Sequence, residues 1–358
     1  MKHKAKTLII LSPGFPKDEA DTTCLPAHQI FIKALNKNFP SLKIIILSFE
    51  YPFSTSGYNW YDNWVIPFNG MNKGVVARLF LWHHFWRTLH KLKKDNDIIG
   101  LFSFWCGECA LIGKYFGKWN NLEHFTWIAG QDAKRGNKYI SIIHPRSHEL
   151  VAMSDFLVKE FYRNYAVRPL HIIPNGIDPS LFSAQGAERD ITILGTGSLI
   201  PLKQYDVFIN AVKEIIKGVP AVKAMLCGKG PDEMQLQKLI VHHQLQNNIL
   251  LTGEKSHAEI LRLMQRTKVF LHTSNYEGFS TVCLEALYAG CHVISFIKPM
   301  KHDIGHWHIV QSKEEMVKKA IEILSNSVAA YTPVLPYAMD DSAMAVMKLF
   351  NYKEAATC

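Results

Sequence analysis

The 358-residue sequence predicts an α/β protein built from two doubly wound parallel sheets, each a Rossmann-like domain, facing each other across one cleft. Three observations predict it. At ~100–200 residues per domain the length calls for two. Hydrophobic residues make up 48% of the chain and charged residues 20%, enough for two substantial cores and far from a disordered composition. Apolar runs of strand length, such as Leu8-Ile9-Ile10-Leu11 and Ile44-Ile45-Ile46-Leu47, alternate with longer amphipathic stretches, which is the signature of βαβ units.

In the first half, 7–12 reads as a strand, 27–38 as a helix, 42–49 as a strand and 76–94 as a helix; 98–104 and 125–129 follow as strands, then 150–154 and the amphipathic 156–163. The second half alternates more cleanly: strands at 190–194, 221–227, 249–252, 269–272 and 292–296, with helices at 204–217, 232–243, 258–266 and 281–289 between them. Pro174 and Asn175-Gly176 are turn chemistry that stops a helix from running through, so the boundary falls near 173–187. The domains expected are 1–172 and 173–338, with 339–358 as a terminal helix, centred on 341–352, that crosses back to the first domain. Because parallel sheets bind ligands at the carboxyl ends of their strands, the functional residues belong in strand-to-helix loops.

No apolar run approaches the ~20 residues of a membrane span. The basic start, Met-Lys-His-Lys-Ala-Lys, is followed by too short an apolar segment for a signal peptide before Pro13 and Gly14. Seven widely spaced cysteines, at 24, 106, 109, 227, 283, 291 and 358, read as reduced thiols, and a cytoplasmic location is expected. The net charge of +9 is unevenly held: residues 1–170 carry 22 Lys+Arg against 13 Asp+Glu, and residues 171–358 carry 18 against 18. The first half therefore either meets something anionic or simply has a solubilising basic surface.

The densest constellation runs from Ser274 through Glu277-Gly278-Phe279-Ser280-Thr281 to Glu285 and Gly290, directly after the strand at 269–272. Gly278 allows close backbone approach, and Ser280 or Thr281 begins a helix whose positive end suits a diphosphate. Glu285, one turn in, can accept two hydrogen bonds and so hold a ribose diol, while Glu277 would lie nearer the reacting sugar. The plain alternative is that Glu285 complements the helix dipole and Glu277 is solvated. Asp95-Asn-Asp97 reads as a helix-ending turn, and His302, Asp303, His306 and His308 as a packed loop more than a metal set. Cys106-Gly-Glu-Cys109, between a strand and a helix, resembles a thioredoxin-like redox motif. Tyr58, Trp60, Tyr61 and Trp64, with Arg78, Trp82, Phe85, Trp86 and Arg87, mix aromatic and basic character: they form either a docking element for an anionic membrane or a core helix with an acceptor-side loop. No nucleic-acid recognition module accompanies them.

Glu277-x7-Glu285, together with Val151-Ala-Met-Ser-Asp-Phe156, Ile173-Pro-Asn-Gly-Ile-Asp178 with Phe182, Gly195-Thr-Gly-Ser-Leu-Ile-Pro-Leu-Lys203 and Leu226-Cys-Gly228-Lys-Gly230-Pro231, resembles the retaining nucleotide-sugar glycosyltransferases of the GT-B fold, family 4, also described as glycosyl transferases group 1. The likeness covers about residues 150–297 well and the first half in outline. It implies transfer of a sugar from a UDP- or GDP-linked donor to a hydroxyl of a glycan or lipid-linked acceptor in surface polysaccharide or glycolipid synthesis. It also implies retention at the anomeric carbon, no cofactor and no divalent metal, and a peripheral place on the inner face of the membrane.

On this resemblance Lys203 faces the donor diphosphate, Glu277 orients the transferred sugar, Glu285 holds the ribose, and Gly228 and Lys229 border the base. Gly14 is the backbone-approach candidate at the end of the first strand, and His124 and Asp132 are acceptor-side candidates. Two positions depart from the family: Ser198 stands where an Arg is usual, and Ala129 where a His is usual. Those departures motivate an alternative, a non-catalytic nucleotide-sugar-binding scaffold; a thiol redox protein using Cys106 and Cys109 is a third reading.

Overall fold

A computed structural model describes residues 4–183 and 188–354; Cys358, the first three residues of the basic start and part of the 173–187 boundary region lie outside the described residues. The chain divides into two compact units, one running to Gly176 and resuming at Met339, the other spanning Ile177–Ala338.

The first unit holds β1 (Lys6–Gly14), α1 (Pro26–Asn38), β2 (Lys43–Tyr51), β3 (Tyr58–Trp60), β4 (Asn63–Pro67), α2 (Val75–Asp95), β5 (Asp97–Phe104), α3 (Glu108–Asn120), β6 (His124–Ile128), α4 (Gly130–Ala133), α5 (Lys138–Ile143), β7 (Leu150–Ala152), α6 (Asp155–Tyr165) and β8 (His171–Ile172). Its eight strands pair in the order β3-β4-β2-β1-β5-β6-β7-β8, parallel throughout except for the β3–β4 pair. Leu8, Ile9, Ile10 and Leu11 are all fully buried, because helices cover both faces and an interior parallel strand has no solvent side. Pro26 occupies the first turn of α1, where its missing N–H costs nothing, and the Ser154 hydroxyl caps α6 by accepting from the Leu157 N–H at 3.1 Å.

The second unit holds β9 (Ile191–Thr196), α7 (Tyr205–Gly218), β10 (Ala224–Cys227), α8 (Glu233–His242), β11 (Ile249–Gly253), α9 (His257–Gln265), β12 (Thr267–His272), α10 (Thr281–Tyr288), β13 (His292–Ser295), β14 (Trp307–Ile309) and α11 (Lys313–Ser325). Its strands order as β11-β10-β9-β12-β13-β14, all parallel. A capping box, in which Ser256 and Glu259 satisfy each other's backbone N–H groups, starts α9.

The terminal helix, α12 (Met339–Leu349), packs on α1 in the first unit. Met339, Ala343, Val346 and Met347 are buried in the same cluster as Phe31 and Leu35 of α1, and Asp340 pairs with Lys37 at 2.5 Å. Past the helix, Phe350 lies against Gly100, where a Cβ would meet its ring at 2.3 Å.

The aromatic and basic stretch at 58–87, read as either a docking element or a core helix with a loop, divides between core and surface. Trp60 and Phe85 are fully buried, and the exposed apolar face belongs instead to the first turns of α2, with Val75 80%, Val76 68%, Leu79 56% and Phe80 71% exposed. Asp97 opens β5 and pairs with Lys6 at 2.8 Å. No helix among the described residues is long and apolar enough to cross a membrane.

Because α12 completes the first unit's core, Met347→Ala is expected to destabilise that unit by about 2–5 kcal/mol, the range for truncating a buried Met. Urea unfolding followed by the fluorescence of buried Trp60 and Trp127 measures it, and an unchanged midpoint would contradict the packing.

Candidate active site

The site residues of the second unit sit in the loops at the carboxyl ends of β9, β10 and β12. After β12 the Thr273 hydroxyl donates to the Lys203 carbonyl at 2.7 Å, fastening the loop before α10 to the single turn Pro201–Lys203 that precedes α7. That tie brings the Lys203 ammonium to 2.7 Å from Glu277 Oε2. His272, the last residue of β12, places Nε2 3.6 Å from the same carboxylate oxygen, with the Ser280 and Ser274 hydroxyls 3.3 and 3.4 Å from that nitrogen.

Burial opposes ionisation of Glu277, but His272 and the Lys203 charge outweigh it and hold the carboxyl at about 2. The carboxylate thus contributes stability above its ordinary pKa of 4.5, lost as pH falls toward 2. Burial lowers the His272 pKa below 6.5 despite the adjacent Glu277, so its imidazole is neutral at pH 7. The arrangement is a single cation held by a single carboxylate, beside the positive end of α10.

Glu285 lies in the second turn of α10, buried, and its Oε1 is 2.7 Å from Nε2 of His257, the first residue of α9. The hydrogen bond to Glu285 raises the His257 pKa above 6.5, against the effect of burial. One oxygen of the carboxylate is therefore committed to α9, and no hydrogen bond reaches the other among the described residues. Phe279 packs edge-on against Tyr337, with ring centroids 5.7 Å apart, while Gly278, Ser280 and Thr281 complete the turn into α10.

Two glycines of the loop after β10 are required by the backbone of the loop after β9. Gly228 has φ 152°, and a Cβ there would meet the Gly197 carbonyl at 1.9 Å; at Gly230 it would meet the Leu199 carbonyl at 2.3 Å. The loops after β9 and β10 thus pass backbone against backbone, with the Leu199 N–H donating to the Lys229 carbonyl at 3.0 Å. Beside them is a cavity of about 200 Å³ lined by Gly197, Ser198, Gly228, Lys229, Glu254 and Lys255. Ser198 brings no charge, yet Lys229 and Lys255 line the same space. Lys255, His257, His272 and Thr273 escaped the sequence reading. The capping box marked the start of α9, but nothing in the sequence showed which helix its His would face.

In the first unit Gly14, His124 and Asp132 are all enclosed by the fold. Gly14 is buried, with Tyr51, Leu25 and Cys24 around it at ordinary contact distances, so it presents no open backbone to a ligand. His124 opens β6 at the end of the sheet opposite the ligand-bearing loops, with Nε2 2.7 Å from the Ser103 hydroxyl. Burial drives its pKa down to about 3, so its imidazole is neutral at pH 7. Asp132 is buried as well. It accepts from the Ala129 N–H at 2.8 Å, closing the α4 turn, and burial raises its pKa to about 7 against the lowering effect of backbone N–H groups.

Cys106 and Cys109 are free and buried, and burial pushes both thiols well above their ordinary pKa. A redox pair needs an accessible thiolate, which removes the thioredoxin-like reading. Near β14, His302 Nε2 lies 2.9 Å from the Tyr337 hydroxyl, Asp303 pairs with Lys298, and His308 Nε2 approaches His292 Nδ1 at 3.1 Å. Among the described residues no three His, Cys, Asp or Glu side chains gather as a metal-ligand set.

Measured by NMR, the His257 imidazole is expected to titrate above 6.5, and in Glu285→Gln to fall back to 6.5 or below. The sign follows from the raised pKa: the pair stabilises the fold fully below 6.5 and loses that contribution as pH rises through the elevated value. A native His257 titrating at or below 6.5 would show that the pair does not form.

Residues 179–331 match the sequence model of the family described as glycosyl transferases group 1. The gpi3 subunit of the phosphatidylinositol N-acetylglucosaminyltransferase of Schizosaccharomyces pombe is 28% identical over 214 residues, 57% of this chain and 47% of that protein. The chain spans about a third to a half of the length of the curated relatives it matches. Among solved structures, a sucrose-phosphate synthase from Thermosynechococcus elongatus superposes with a TM-score of 0.68 at 14% identity, covering 96% of this chain and 95% of that one. The Anabaena protein Alr3699/HepE, solved with UDP and glucose, gives 0.64 at 14% identity and 97% coverage of both chains. With two Rossmann-like parallel-sheet units and these neighbours, the chain has the GT-B fold and carries, over residues 179–331, a region matching glycosyl transferases group 1.

Proposed function

We propose that the chain is a retaining glycosyltransferase of family 4, moving a sugar from a nucleotide diphosphate sugar to a hydroxyl acceptor in surface polysaccharide or glycolipid synthesis. The observation that carries this reading is the Lys203–Glu277 pair at 2.7 Å beside the amino end of α10. Breaking the bond between sugar and diphosphate places negative charge on the leaving oxygens, and a positioned cation with a helix amino terminus stabilises it. Lys203 exchanges its carboxylate partner for the diphosphate when the donor binds. Glu277 is then released to orient the sugar, and the uncommitted oxygen of Glu285 takes the ribose.

With the leaving group retained on the reacting face, the donor phosphate accepts the acceptor proton and the anomeric configuration is kept. The cation needed at the diphosphate is supplied by the chain itself, so no divalent metal is assigned a step. Uridine diphosphate, the nucleotide bound to the Anabaena relative, is the first donor base to test, ahead of guanosine diphosphate. Lys229 and Lys255 supply positive charge beside Ser198, which weakens the case for a non-catalytic scaffold.

With UDP- and GDP-sugars as donors, Lys203→Ala and Glu277→Ala are each expected to lower kcat by about 10²–10³-fold, the range for losing one preorganised stabilising group, while excess EDTA leaves turnover unchanged. Full turnover in Glu277→Ala would overturn its assigned role, and loss of turnover in EDTA would overturn the metal-independent reading.

An apolar tip on α2 followed by basic residues supports a peripheral place on an anionic membrane. Val75, Val76, Leu79 and Phe80 expose an apolar tip, and Arg87, Lys91, Lys93 and Lys94 follow with no acidic residue between 75 and 94. Co-sedimentation with phosphatidylglycerol vesicles is expected for the native protein and at least fivefold less for Leu79→Ser with Phe80→Ser; equal sedimentation of the two would remove α2 from the contact.

A further inference from the structure

A cavity of about 180 Å³ opens at the carboxyl ends of β1, β2 and β5 in the first unit, lined by Pro13, Glu50, Arg78, Trp105, Glu108 and Tyr139 among others. At ~30 Å³ per water it holds about six, the space of a single sugar ring and too little for a nucleotide. Its polar wall is built around one immobilised guanidinium. Arg78 Nε donates to Glu108 Oε1 at 2.5 Å, and Nη2 donates both to Glu108 Oε2 and, at 2.9 Å, to Glu50 Oε1.

Glu108 is buried and held from two sides: besides Arg78, the Trp82 indole N–H donates to its Oε1 at 3.0 Å. Two groups are left over. Arg78 Nη1, a donor, and Glu50 Oε2, an acceptor, have no partner among the described residues, and both side chains line the cavity. The opposite character comes from Trp105, the residue after β5, at φ 66°. A bulky side chain is rarely found in that left-handed region unless its surroundings fix it; here its N–H is tied to the Trp127 carbonyl at 2.9 Å, and the residue lines the cavity.

A donor and an acceptor side by side, facing an aromatic residue, match a ring with adjacent hydroxyls on its edge and an apolar face. One guanidinium against two carboxylates leaves the wall net negative, which repels phosphate and carboxylate ligands. We propose that this cavity is the acceptor subsite and that it takes a neutral pyranose, with Arg78 Nη1 and Glu50 reading a vicinal pair of hydroxyls and Trp105 covering the ring face. The acceptor role rests on the sugar-transfer reading above; the sugar preference rests on this wall alone. Arg78 is thereby a specificity-determining residue, held in register by Glu108.

Removing Arg78 would leave Glu108 buried without its partner, so the test uses Glu50→Gln, whose side chain is 40% exposed, and Trp105→Gly, which suits the left-handed backbone. Saturation-transfer NMR on the full chain, with the methyl glycosides of glucose, galactose, mannose and N-acetylglucosamine, is expected to show at least one that binds. Either substitution should weaken that binding at least fivefold, inorganic phosphate should not compete, and stabilisation of the fold by UDP should be unaffected. Absence of binding by every glycoside, equal binding in both variants, or displacement by phosphate would each overturn the proposal. UDP stabilisation reports on the second unit separately: its absence alongside intact glycoside binding overturns the transfer reading and not the sugar site.

Discussion

Parallel strands cannot be joined by tight turns, and this constraint organises both units. Each strand must be followed by a crossover, usually a helix, that returns to the start of the next. Helices therefore cover both faces of each sheet, the strands become continuous apolar runs such as Leu8–Leu11, and the polar side chains that do chemistry are left to the loops where strands end. The Glu277 loop, the paired glycine loops and the cavity beside Arg78 all stand at such ends. His124, at the beginning of a strand, is correspondingly buried and uncharged.

Within the second unit the charges are arranged in compensated pairs. Lys203 rests on Glu277 and His257 on Glu285, so neither carboxylate stands as a lone buried charge. In the proposed reaction a diphosphate arriving at Lys203 would exchange one anionic partner for another, and the ammonium would not need to be desolvated afresh. On that proposal the same exchange would free the Glu277 carboxylate to orient the sugar.

The elements were legible because their causes are local. Apolar runs, Ser and Pro at helix starts and turn residues at loops lie within a few positions of the elements they specify, and the strand-to-helix site motif carries its own spacing from Glu277 to Glu285. What the sequence withheld depends on packing between distant segments. Gly228 is required by the carbonyl of Gly197, a contact between loops some thirty residues apart. His257 meets Glu285 only once α9 and α10 are side by side. Gly14 and Asp132 stand at or just past strand ends and are enclosed by their surroundings, and the aromatics of 58–87 divide between core and surface by strand alternation in β3 and β4 and by helix phase in α2.

The basic surplus of the first 170 residues takes on a different meaning once the side chains are placed. Arg78 is neutralised within its network by Glu50 and Glu108, and Lys114 by Glu149, so the lined cavity beside Arg78 is not where the excess positive charge resides. Part of it lies on α2, where Arg87, Lys91 and Lys94 are exposed and follow the apolar tip of the same helix. A cation that selects a small neutral ligand must be screened by carboxylates and fixed; cations that attract an anionic surface must be unscreened and need no fixed geometry. The helix carries both kinds, Arg78 toward the cavity and the rest toward solvent, and their partners or lack of carboxylates distinguish the two roles.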